Sequence, residues 1–150
     1  MRVCIGGTFN ILHKGHKVLL DRAFEAAGIS GWVFIGVTDG NMLKEKKFVT
    51  PYDNRVAAIK EYISSSRGEN RFEIVKISSK YGLAVDGDYD AIITSQETSE
   101  NAVDINKHRI AQGKKPLEII TIPYVLADDN IPISSTRIYD KIIDSNGKIK

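Results

Sequence analysis

The sequence predicts a doubly wound α/β fold with a five-stranded parallel sheet. Short apolar runs alternate along the chain with longer segments whose apolar residues recur every three or four positions. This alternation is typical of right-handed β-α-β units, which place consecutive strands parallel to one another. The 150 residues, 42% hydrophobic and 27% charged, exclude disordered, collagen-like and disulfide-scaffold proteins. We expect one domain spanning residues 1–150.

The chain opens with a strand, a helix and a second strand. Residues 2–5 form an apolar run that stops at Gly6-Gly7, as a buried strand entering a tight loop does. Apolar residues at three-and-four spacing then predict a helix from about His16 to a stop at Gly28. Residues 32–37 are apolar throughout, which is typical of a strand covered on both faces.

A polar loop at residues 39–50 leads into the second helix and the third strand. The motif Thr50-Pro51-Tyr52-Asp53 supplies an N-cap hydroxyl, a proline at the first turn and an acid at the capping-box position. The helix that starts there ends in a serine run, and its apolar face consists of Val56, Ile59 and Ile63. Residues 72–77 predict the third strand.

Two more strands and two more helices complete the pattern. Residues 91–95 and 118–122 predict the fourth and fifth strands. Between them, residues 97–112 predict a helix that stops at Gly113, with an apolar face of Ala102, Ile105 and Ile110. The last helix is expected to begin around Ser134-Ser135, with an apolar face of Ile138, Ile142 and Ile143.

The predicted sheet places the candidate ligand site at one edge. In open parallel sheets, ligands lie beyond the carboxyl ends of the strands, near the point where the strand order reverses. We therefore expect the ligand-binding residues in five segments: residues 6–16, 39–50, 78–82, 95–98 and 123–135.

Charge and cysteine content limit the functional classes. The chain has 21 Lys and Arg against 19 Asp and Glu, and the resulting formal charge of +2 does not indicate a nucleic-acid partner. The single cysteine, Cys4, permits no internal disulfide and favours a reducing compartment. Because no apolar run approaches the roughly 18 residues that span a bilayer, we expect a cytoplasmic protein with no membrane partner.

Two histidines in the first loop form the strongest candidate site. His13 and His16 lie three residues apart at a helix start, which projects them to one face. Free N–H groups and the positive dipole end bind anions there, and Gly15 lets a phosphate approach the backbone. A pair of surface histidines is the alternative. Zinc is disfavoured because the other candidate ligands are Cys4 and distant His108.

Two motifs at opposite ends of the chain resemble a known signature. Residues 6–10 read Gly-Gly-Thr-Phe-Asn and residues 13–16 read His-Lys-Gly-His, which is similar to the paired motifs of the nucleotidyltransferase superfamily. Residues 133–137, Ile-Ser-Ser-Thr-Arg, resemble the superfamily's motif at the last helix. The resemblance implies a Rossmann-like nucleotidyltransferase fold.

Within that superfamily, the chain most resembles the archaeal-type phosphopantetheine adenylyltransferase family. The similar segments are the lysine loop at 39–47, the Pro-Tyr-x-x-Arg-Val motif at 51–56 and the Thr-Ser-Gln-Glu-Thr segment at 94–98. The implied reaction joins ATP and 4′-phosphopantetheine to give dephospho-coenzyme A and pyrophosphate, with Mg²⁺ carried by the phosphates. Adjacent acids such as Asp128-Asp129 point in different directions and do not suggest a metal site.

Adenylyl transfer needs cations and N–H donors more than a protein nucleophile. The attacking phosphate monoester is already ionised near neutral pH, and charge builds up on the transferred phosphoryl group. His13 and His16 would hold the α-phosphate oxygens. Thr8, with the backbone at Gly7 and Phe9, would orient the attacking phosphate or the ATP.

The resemblance implies further contacts to the nucleotide. Three lysines of the second loop would reach the phosphates, with Lys44 favoured as catalytic over its neighbours Lys46 and Lys47. Three residues of the last motif would bind the β- and γ-phosphates or serve as ordinary helix caps: Ser134, Ser135 and Thr136. Arg137 is either a phosphate clamp or a surface residue. The adenosine would be bordered by Ser95, Glu97 and Thr98, with helix capping by Ser95 as the alternative.

The superfamily usually has Asp where this chain has Asn10, so the role of Asn10 is undefined. The acceptor or nucleotide could differ, as in a nicotinamide mononucleotide adenylyltransferase or a cytidylyltransferase. A non-catalytic nucleotide-binding module is the alternative from another class. The oligomeric state is not readable, although the resemblance favours a monomer.

Overall fold

Five strands form one parallel sheet in the computed structural model, which describes residues 1–43, 48–67, 71–79 and 81–150. In chain order they are β1 (Arg2–Gly7), β2 (Trp32–Thr38), β3 (Phe72–Ile77), β4 (Ala91–Ser95) and β5 (Glu118–Ile122). Their order across the sheet is β3-β2-β1-β4-β5, and every neighbouring pair is parallel. The chain thus winds outward from β1 in both directions, which confirms the doubly wound fold.

Helices connect the strands on both sides of the sheet. Within the described ranges they are α1 (Lys14–Ala27), α2 (Tyr52–Arg67), α3 (Ser99–Ala111) and α4 (Ser135–Tyr139), with a 3₁₀ turn at Gly40–Leu43. In this part of the chain, no helix combines the length and apolar character that crossing a membrane requires.

One face of the sheet packs against α1 and α2. On β1, Val3 and Ile5 alternate with residues of the opposite face and are buried against the helices. The helices contribute Leu20, Ala23, Phe24, Ala27, Ile59 and Ile63. Removing these apolar side chains from water is the main favourable term that holds the layers together.

The opposite face is covered by α3 and by an irregular segment at residues 81–90. A second cluster of buried residues lies here: Cys4, Phe34, Ala84, Ile92, Ala102, Ile105 and Leu117. The turn at 81–84 lies directly on β2 because Gly36 has no side chain. A Cβ at Gly36 would stand 2.7 Å from Leu83 Cδ2 and 3.2 Å from two atoms of Ile77.

The first loop is shorter than the sequence predicts. Strand β1 continues through Gly6 and Gly7, which pair with Gly36 and Val37 of β2. Helix α1 then begins two residues earlier than expected, because His13 serves as its N-cap. Helix α2 begins at Tyr52, and the Thr50 hydroxyl donates to Asn10 Oδ1.

The apolar face predicted for the third helix is wrong at its last position. Ile110 is 59% exposed, whereas Arg109 is 3% exposed. The buried stripe continues through Arg109 because the guanidinium donates to the carbonyl oxygens of Ala84, Gly87 and Lys115. An arginine can replace an apolar residue in such a stripe when carbonyls satisfy its donors.

The last helix is shorter than predicted. Helix α4 ends at Tyr139, and Lys141 adopts a positive φ of 63°, which does not continue a helix. Ile142 is consequently 47% exposed, whereas Ile143 is fully buried in a small cluster with Ala127 and Ile133.

Candidate active site

A cleft of about 570 Å³ opens at the carboxyl ends of the strands, where the strand order reverses between β1 and β4. The structure brings most of the sequence-predicted residues to its walls: Gly7, Thr8, Phe9, His13, Gly15, His16, Ser95, Glu97, Thr98, Ser134, Ser135 and Thr136. Arg137 is not among the cleft-lining residues. The predicted phosphate-binding lysines, Lys44, Lys46 and Lys47, lie outside the described residues.

The two histidines form a reciprocal cap at the start of α1. His13 Nδ1 accepts hydrogen bonds from the N–H groups of Gly15 at 3.0 Å and His16 at 3.4 Å. His16 Nδ1 accepts in turn from the His13 N–H at 3.2 Å. Because each Nδ1 is an acceptor, the proton of each neutral ring resides on Nε2. Both rings can therefore donate an Nε2–H to a ligand oxygen.

The environment keeps both rings neutral at physiological pH. The imidazoles of His13 and His16 stack with centroids 3.7 Å apart. Burial lowers the pKa of His13 to about 4. Burial, with a smaller contribution from the neighbouring His13, lowers the pKa of His16 to about 3. An anion in the cleft would therefore meet two neutral N–H donors, whose protonated forms it would stabilise.

Glycines and a strained loop shape the wall beside the histidines. A Cβ at Gly15 would stand 2.9 Å from His13 Cε1, so the glycine makes room for the imidazole. At Gly7 a Cβ would stand 3.2 Å from the ring of Phe9, which is buried. Phe9 and Ile11 adopt positive φ values of 53° and 49°, a conformation that costs free energy in non-glycine residues and is concentrated at functional sites.

A buried arginine braces the ends of β1 and β2. Arg55 is 2% exposed, and its guanidinium donates to the carbonyl oxygens of Thr8, Thr38 and Thr50. Burial lowers the pKa of Arg55, and Asp39, 3.9 Å away, opposes this shift. The brace fixes Thr8, whose hydroxyl accepts from Thr38 Oγ1 at 2.9 Å and keeps its own proton available for the cleft.

The last motif is engaged in contacts within the protein. Ser134 caps α4 by accepting from the Arg137 N–H at 3.2 Å, which supports the capping alternative for that serine. The Ser135 hydroxyl donates to the Asn10 carbonyl oxygen. Arg137 pairs with Asp129 and donates to the carbonyl oxygens of Ile131 and Pro132, so its guanidinium holds the preceding loop.

The segment after β4 forms a polar turn at the cleft rim. Thr98 Oγ1 accepts from the Ser95 N–H at 3.1 Å and lies 3.2 Å from the Ser95 hydroxyl. Thr98, and not Ser95, is the N-cap residue of α3. Glu97 is exposed at the same rim.

The described residues do not assemble a metal site of their own. No group of three or more His, Cys, Asp or Glu side chains with suitable spacing occurs in the described ranges. Asp39, the acid at the end of β2, is near Arg55 and 3.6 Å from Lys76 Nζ. The carboxylate is therefore already compensated by cations.

Sequence reasoning assigned no role to three features of the site. Asn10 is buried and bonds to residues 48–50, and Phe48 stacks on Tyr139 with centroids 4.5 Å apart. A signal existed for Arg55, because it lies four residues before Ile59 on the apolar stripe of α2. No sequence signal predicted the contacts of Asn10 and Phe48, which join residues 38 or more positions apart.

The fold and the cleft define a nucleotidyltransferase-type α/β protein. A family model described as cytidylyltransferase-like matches residues 4–141. A solved structure of a protein of unknown function from Archaeoglobus fulgidus is 37% identical and superposes with a TM-score of 0.74, covering 81% of this chain and 89% of that one.

Curated relatives narrow the class. A phosphopantetheine adenylyltransferase from Methanosarcina mazei is 44% identical over 150 residues, which cover 99% of this chain and 97% of that protein. Another from Archaeoglobus fulgidus is 39% identical and covers 99% of both chains. The chain belongs to the cytidylyltransferase-like family and, within it, to the archaeal phosphopantetheine adenylyltransferases.

Proposed function

We propose that this enzyme transfers AMP from ATP to 4′-phosphopantetheine. An oxygen of the acceptor's phosphate monoester attacks the α-phosphorus of ATP and forms a new O–P bond. The bond from the α-phosphorus to the oxygen that bridges it to the β-phosphorus breaks, so that dephospho-coenzyme A forms and pyrophosphate leaves. The acceptor phosphate is already ionised near neutral pH, so no protein nucleophile or strong base is required.

The paired histidines carry this proposal. His13 and His16 line the cleft, and each keeps an Nε2–H for a ligand because its Nδ1 is fixed by main-chain N–H groups. Donors that are already oriented stabilise the charge that develops on the transferred phosphoryl group without reorganising during the reaction. The Thr8 hydroxyl, held by Thr38 and the Arg55 brace, supports the incoming phosphate on the same side.

The remainder of the cleft supports the acceptor. Its wall continues from the histidines to an apolar surface formed by Tyr81, Leu83, Ala84, Ala102 and Ile105. An uncharged, flexible pantetheine arm can bury its methylene and dimethyl groups against such a surface. The identities of 37–44% with curated phosphopantetheine adenylyltransferases support the same acceptor.

We also propose that Mg²⁺ enters the site on the triphosphate. Since the described residues offer no carboxylate cluster, the phosphate oxygens and water would supply its ligands, a pattern that Mg²⁺ favours. The ion would neutralise charge on the leaving pyrophosphate.

Pyrophosphate release with paired substrates tests the function. Purified protein is assayed with ATP or CTP against 4′-phosphopantetheine or nicotinamide mononucleotide, with and without Mg²⁺. We expect turnover with ATP and phosphopantetheine only, and dephospho-coenzyme A as the product by mass spectrometry. Turnover restricted to CTP, or to nicotinamide mononucleotide, would replace the proposed substrates. Tight ATP binding without turnover of any acceptor would establish a binding module instead.

A further inference from the structure

We infer that Asn10 is a positioning residue that joins three segments of the phosphate-binding wall. The inference rests on the proposed function, since it assigns Asn10 a task in the same adenylyl transfer. Asn10 contacts the main chain at residues 48–50 and the start of α4, and it lies three residues before His13. Through these contacts it sets where the histidine-bearing loop stands relative to the rest of the cleft.

The side chain of Asn10 uses both ends of its amide. Nδ2 donates to the Phe48 carbonyl oxygen at 2.6 Å. Oδ1 accepts from the Thr50 N–H at 2.9 Å and from the Thr50 hydroxyl at 3.2 Å. Asn10 is 8% exposed, so these bonds form away from bulk water, where the loss of a partner is costly. The amide therefore fixes the backbone of residues 48–50 in one orientation.

The main chain of Asn10 connects the same wall to α4. Its carbonyl oxygen accepts from the Ser135 hydroxyl, which belongs to the last sequence motif. A second link runs in parallel, because the Phe48 ring stacks on Tyr139 at an interplanar angle of 14°. Asn10, Phe48 and α4 thus form a closed set of contacts beside His13.

The backbone around Asn10 would not hold its conformation unaided. Phe9 and Ile11, the two residues that flank it, both adopt positive φ values. Ile11 is β-branched, and such residues strongly disfavour this region. Strained conformations persist when the surroundings over-determine them, and the bonds of Asn10 to Phe48, Thr50 and Ser135 supply that constraint.

In this chain, the amide of Asn10 makes a contact that the aspartate usual in the superfamily could not make. The Phe48 carbonyl oxygen needs a donor, which an ionised aspartate lacks. An Asn10→Asp variant would direct a negative oxygen at that carbonyl, while the other oxygen still accepted from Thr50. We call the hydrogen bonds of the Asn10 side chain to Phe48 and Thr50 the clamp. The substitution breaks the bond to Phe48 and adds a repulsion, with little change in side-chain volume.

Asn106 provides a matched control that is not among the cleft-lining residues. Its Nδ2 donates to the Leu117 carbonyl oxygen at 2.9 Å, and its Oδ1 accepts from the Leu117 N–H at 2.7 Å. The amide geometry resembles that of Asn10, but it connects α3 to the start of β5. Asn106→Asp should therefore impose a comparable cost on stability without displacing the phosphate-binding wall.

Steady-state kinetics with ATP and phosphopantetheine compare the two variants. We expect kcat/KM for ATP to fall about 10- to 100-fold in Asn10→Asp, the scale of a misplacement near 1 Å. The Asn106→Asp variant should stay within about twofold of the wild type, while urea unfolding shows similar losses of stability in both. Equal kinetic effects in the two variants would reduce Asn10 to an ordinary structural residue.

A pH profile separates positioning from general damage. At low pH the introduced carboxyl becomes protonated and can donate to the Phe48 carbonyl oxygen again, and burial raises the pH at which this happens. The activity ratio of Asn10→Asp to wild type should therefore rise as the pH falls. A ratio independent of pH would overturn the proposed hydrogen-bond role.

Hydrogen exchange tests the clamp even if the substrates are different. In Asn10→Ala the Thr50 amide should exchange at least tenfold faster than in the wild type, and the Leu117 amide should not change. In Asn106→Ala the opposite pattern is expected. An unchanged Thr50 amide in Asn10→Ala refutes the clamp, whereas absent turnover in the wild type refutes the proposed function alone.

Discussion

Each site histidine uses one ring nitrogen for the fold and leaves the other for a ligand. Nδ1 of His13 and of His16 accepts from main-chain N–H groups, and Nε2 of each ring makes no hydrogen bond to a described residue. Tautomer and orientation are thus set before any substrate arrives. This arrangement suits stabilisation of a transition state more than capture of a ground-state anion by charge.

Removing one imidazole should therefore affect turnover more than binding. In His16→Ala, we expect kcat to fall by about 10²- to 10³-fold, the usual cost of one preorganised donor. The dissociation constant for ATP, measured by calorimetry, should change by less than about tenfold. His108→Ala is the control, because that histidine is exposed on α3. A loss of ATP binding that equals the loss of kcat contradicts the assignment.

The same burial predicts how stability depends on pH. The folded pKa values of about 4 for His13 and about 3 for His16 lie below the ordinary value of 6.5. The unfolded chain therefore binds more protons between pH 6.5 and 4, and the free energy of unfolding falls as pH is lowered through that window. The slope contributed by each histidine is at most about 1.4 kcal/mol per pH unit.

Urea unfolding at pH 7.5, 6 and 5 measures this slope. A double variant, His13→Gln with His16→Gln, loses the titrating groups and should show a flatter dependence. Identical slopes in the variant and the wild type would mean that other groups control the acid sensitivity.

At the residue level, sequence patterns located the histidines but not their supports. The spacing of His13 and His16 at a helix start, together with the motif resemblance, predicts both from the sequence alone. Asn10 and Arg55 act through main-chain carbonyls at residues far along the chain. These bonding partners come together only when the chain folds, and local sequence patterns carry no information on contacts between distant residues.

At the level of elements, the start of α1 combines helix capping with the proposed binding of substrate. Ser, Thr, Asn and Asp are the usual N-cap residues. Here His13 occupies that position, so the ring that is proposed to bind substrate also satisfies two helix N–H groups. This dual use explains why the sequence placed the helix start at His16: a histidine is not a recognised capping signal.

A methyl group at Gly15 should disturb this cap selectively. In Gly15→Ala the new Cβ would stand 2.9 Å from Cε1 and 3.1 Å from Nδ1 of His13, so the ring must move. We expect kcat/KM to fall about 10- to 100-fold. The melting temperature should change little, because alanine favours the helix by up to about 1 kcal/mol relative to glycine and this gain offsets the cost of moving the ring.

Lys14→Ala serves as the control in the same turn. Lys14 is exposed, and the contact described for it, to Ser145, comes from its main-chain N–H. Its kinetic constants should match the wild type. If Gly15→Ala loses stability and activity in parallel, the effect is general unfolding and not displacement of the imidazole.

Element boundaries were predicted well where burial is periodic and poorly where it is not. Strands β2, β3, β4 and β5 agree with the sequence to within one residue at each end. The prediction for α4 was wrong because its three isoleucines suggested a continuous apolar face. The helix instead ends at Tyr139, and the positive φ of Lys141 leaves Ile142 exposed and Ile143 buried. The spacing of apolar residues in a sequence does not reveal that a single residue adopts a positive φ.

At the level of the whole molecule, the end of the chain supports the start of α1. Ile143 packs with Ala127 and Ile133, and the Ser145 carbonyl oxygen accepts from the Lys14 N–H at 2.9 Å. The start of α1 is therefore supported by a segment more than 120 residues from the histidine motif. Integrity of this terminal cluster is expected to matter for activity as well as for stability.

Two adjacent isoleucines provide a matched test of how this terminal cluster packs. Ile143→Ala removes a fully buried side chain and should lower the free energy of unfolding by about 2–5 kcal/mol. Ile142→Ala removes a side chain that is 47% exposed, and surface changes of this kind stay within about 0.5 kcal/mol. Urea unfolding measures both, and equal losses would contradict the described packing.

Chemical labelling of the Cys4 thiol can report when the sheet opens around β1. The chain has one cysteine, which lies on the central strand β1, is 1% exposed and donates to the Ala91 carbonyl oxygen at 3.5 Å. Burial raises its pKa to about 12, so the reactive thiolate is scarce while the sheet is closed. Alkylation of this buried, protonated thiol is slow in the folded protein and becomes faster when β1 separates from its neighbours. Because a bound nucleotide suppresses this separation in proportion to its occupancy, labelling kinetics would yield its affinity without a measurement of catalysis.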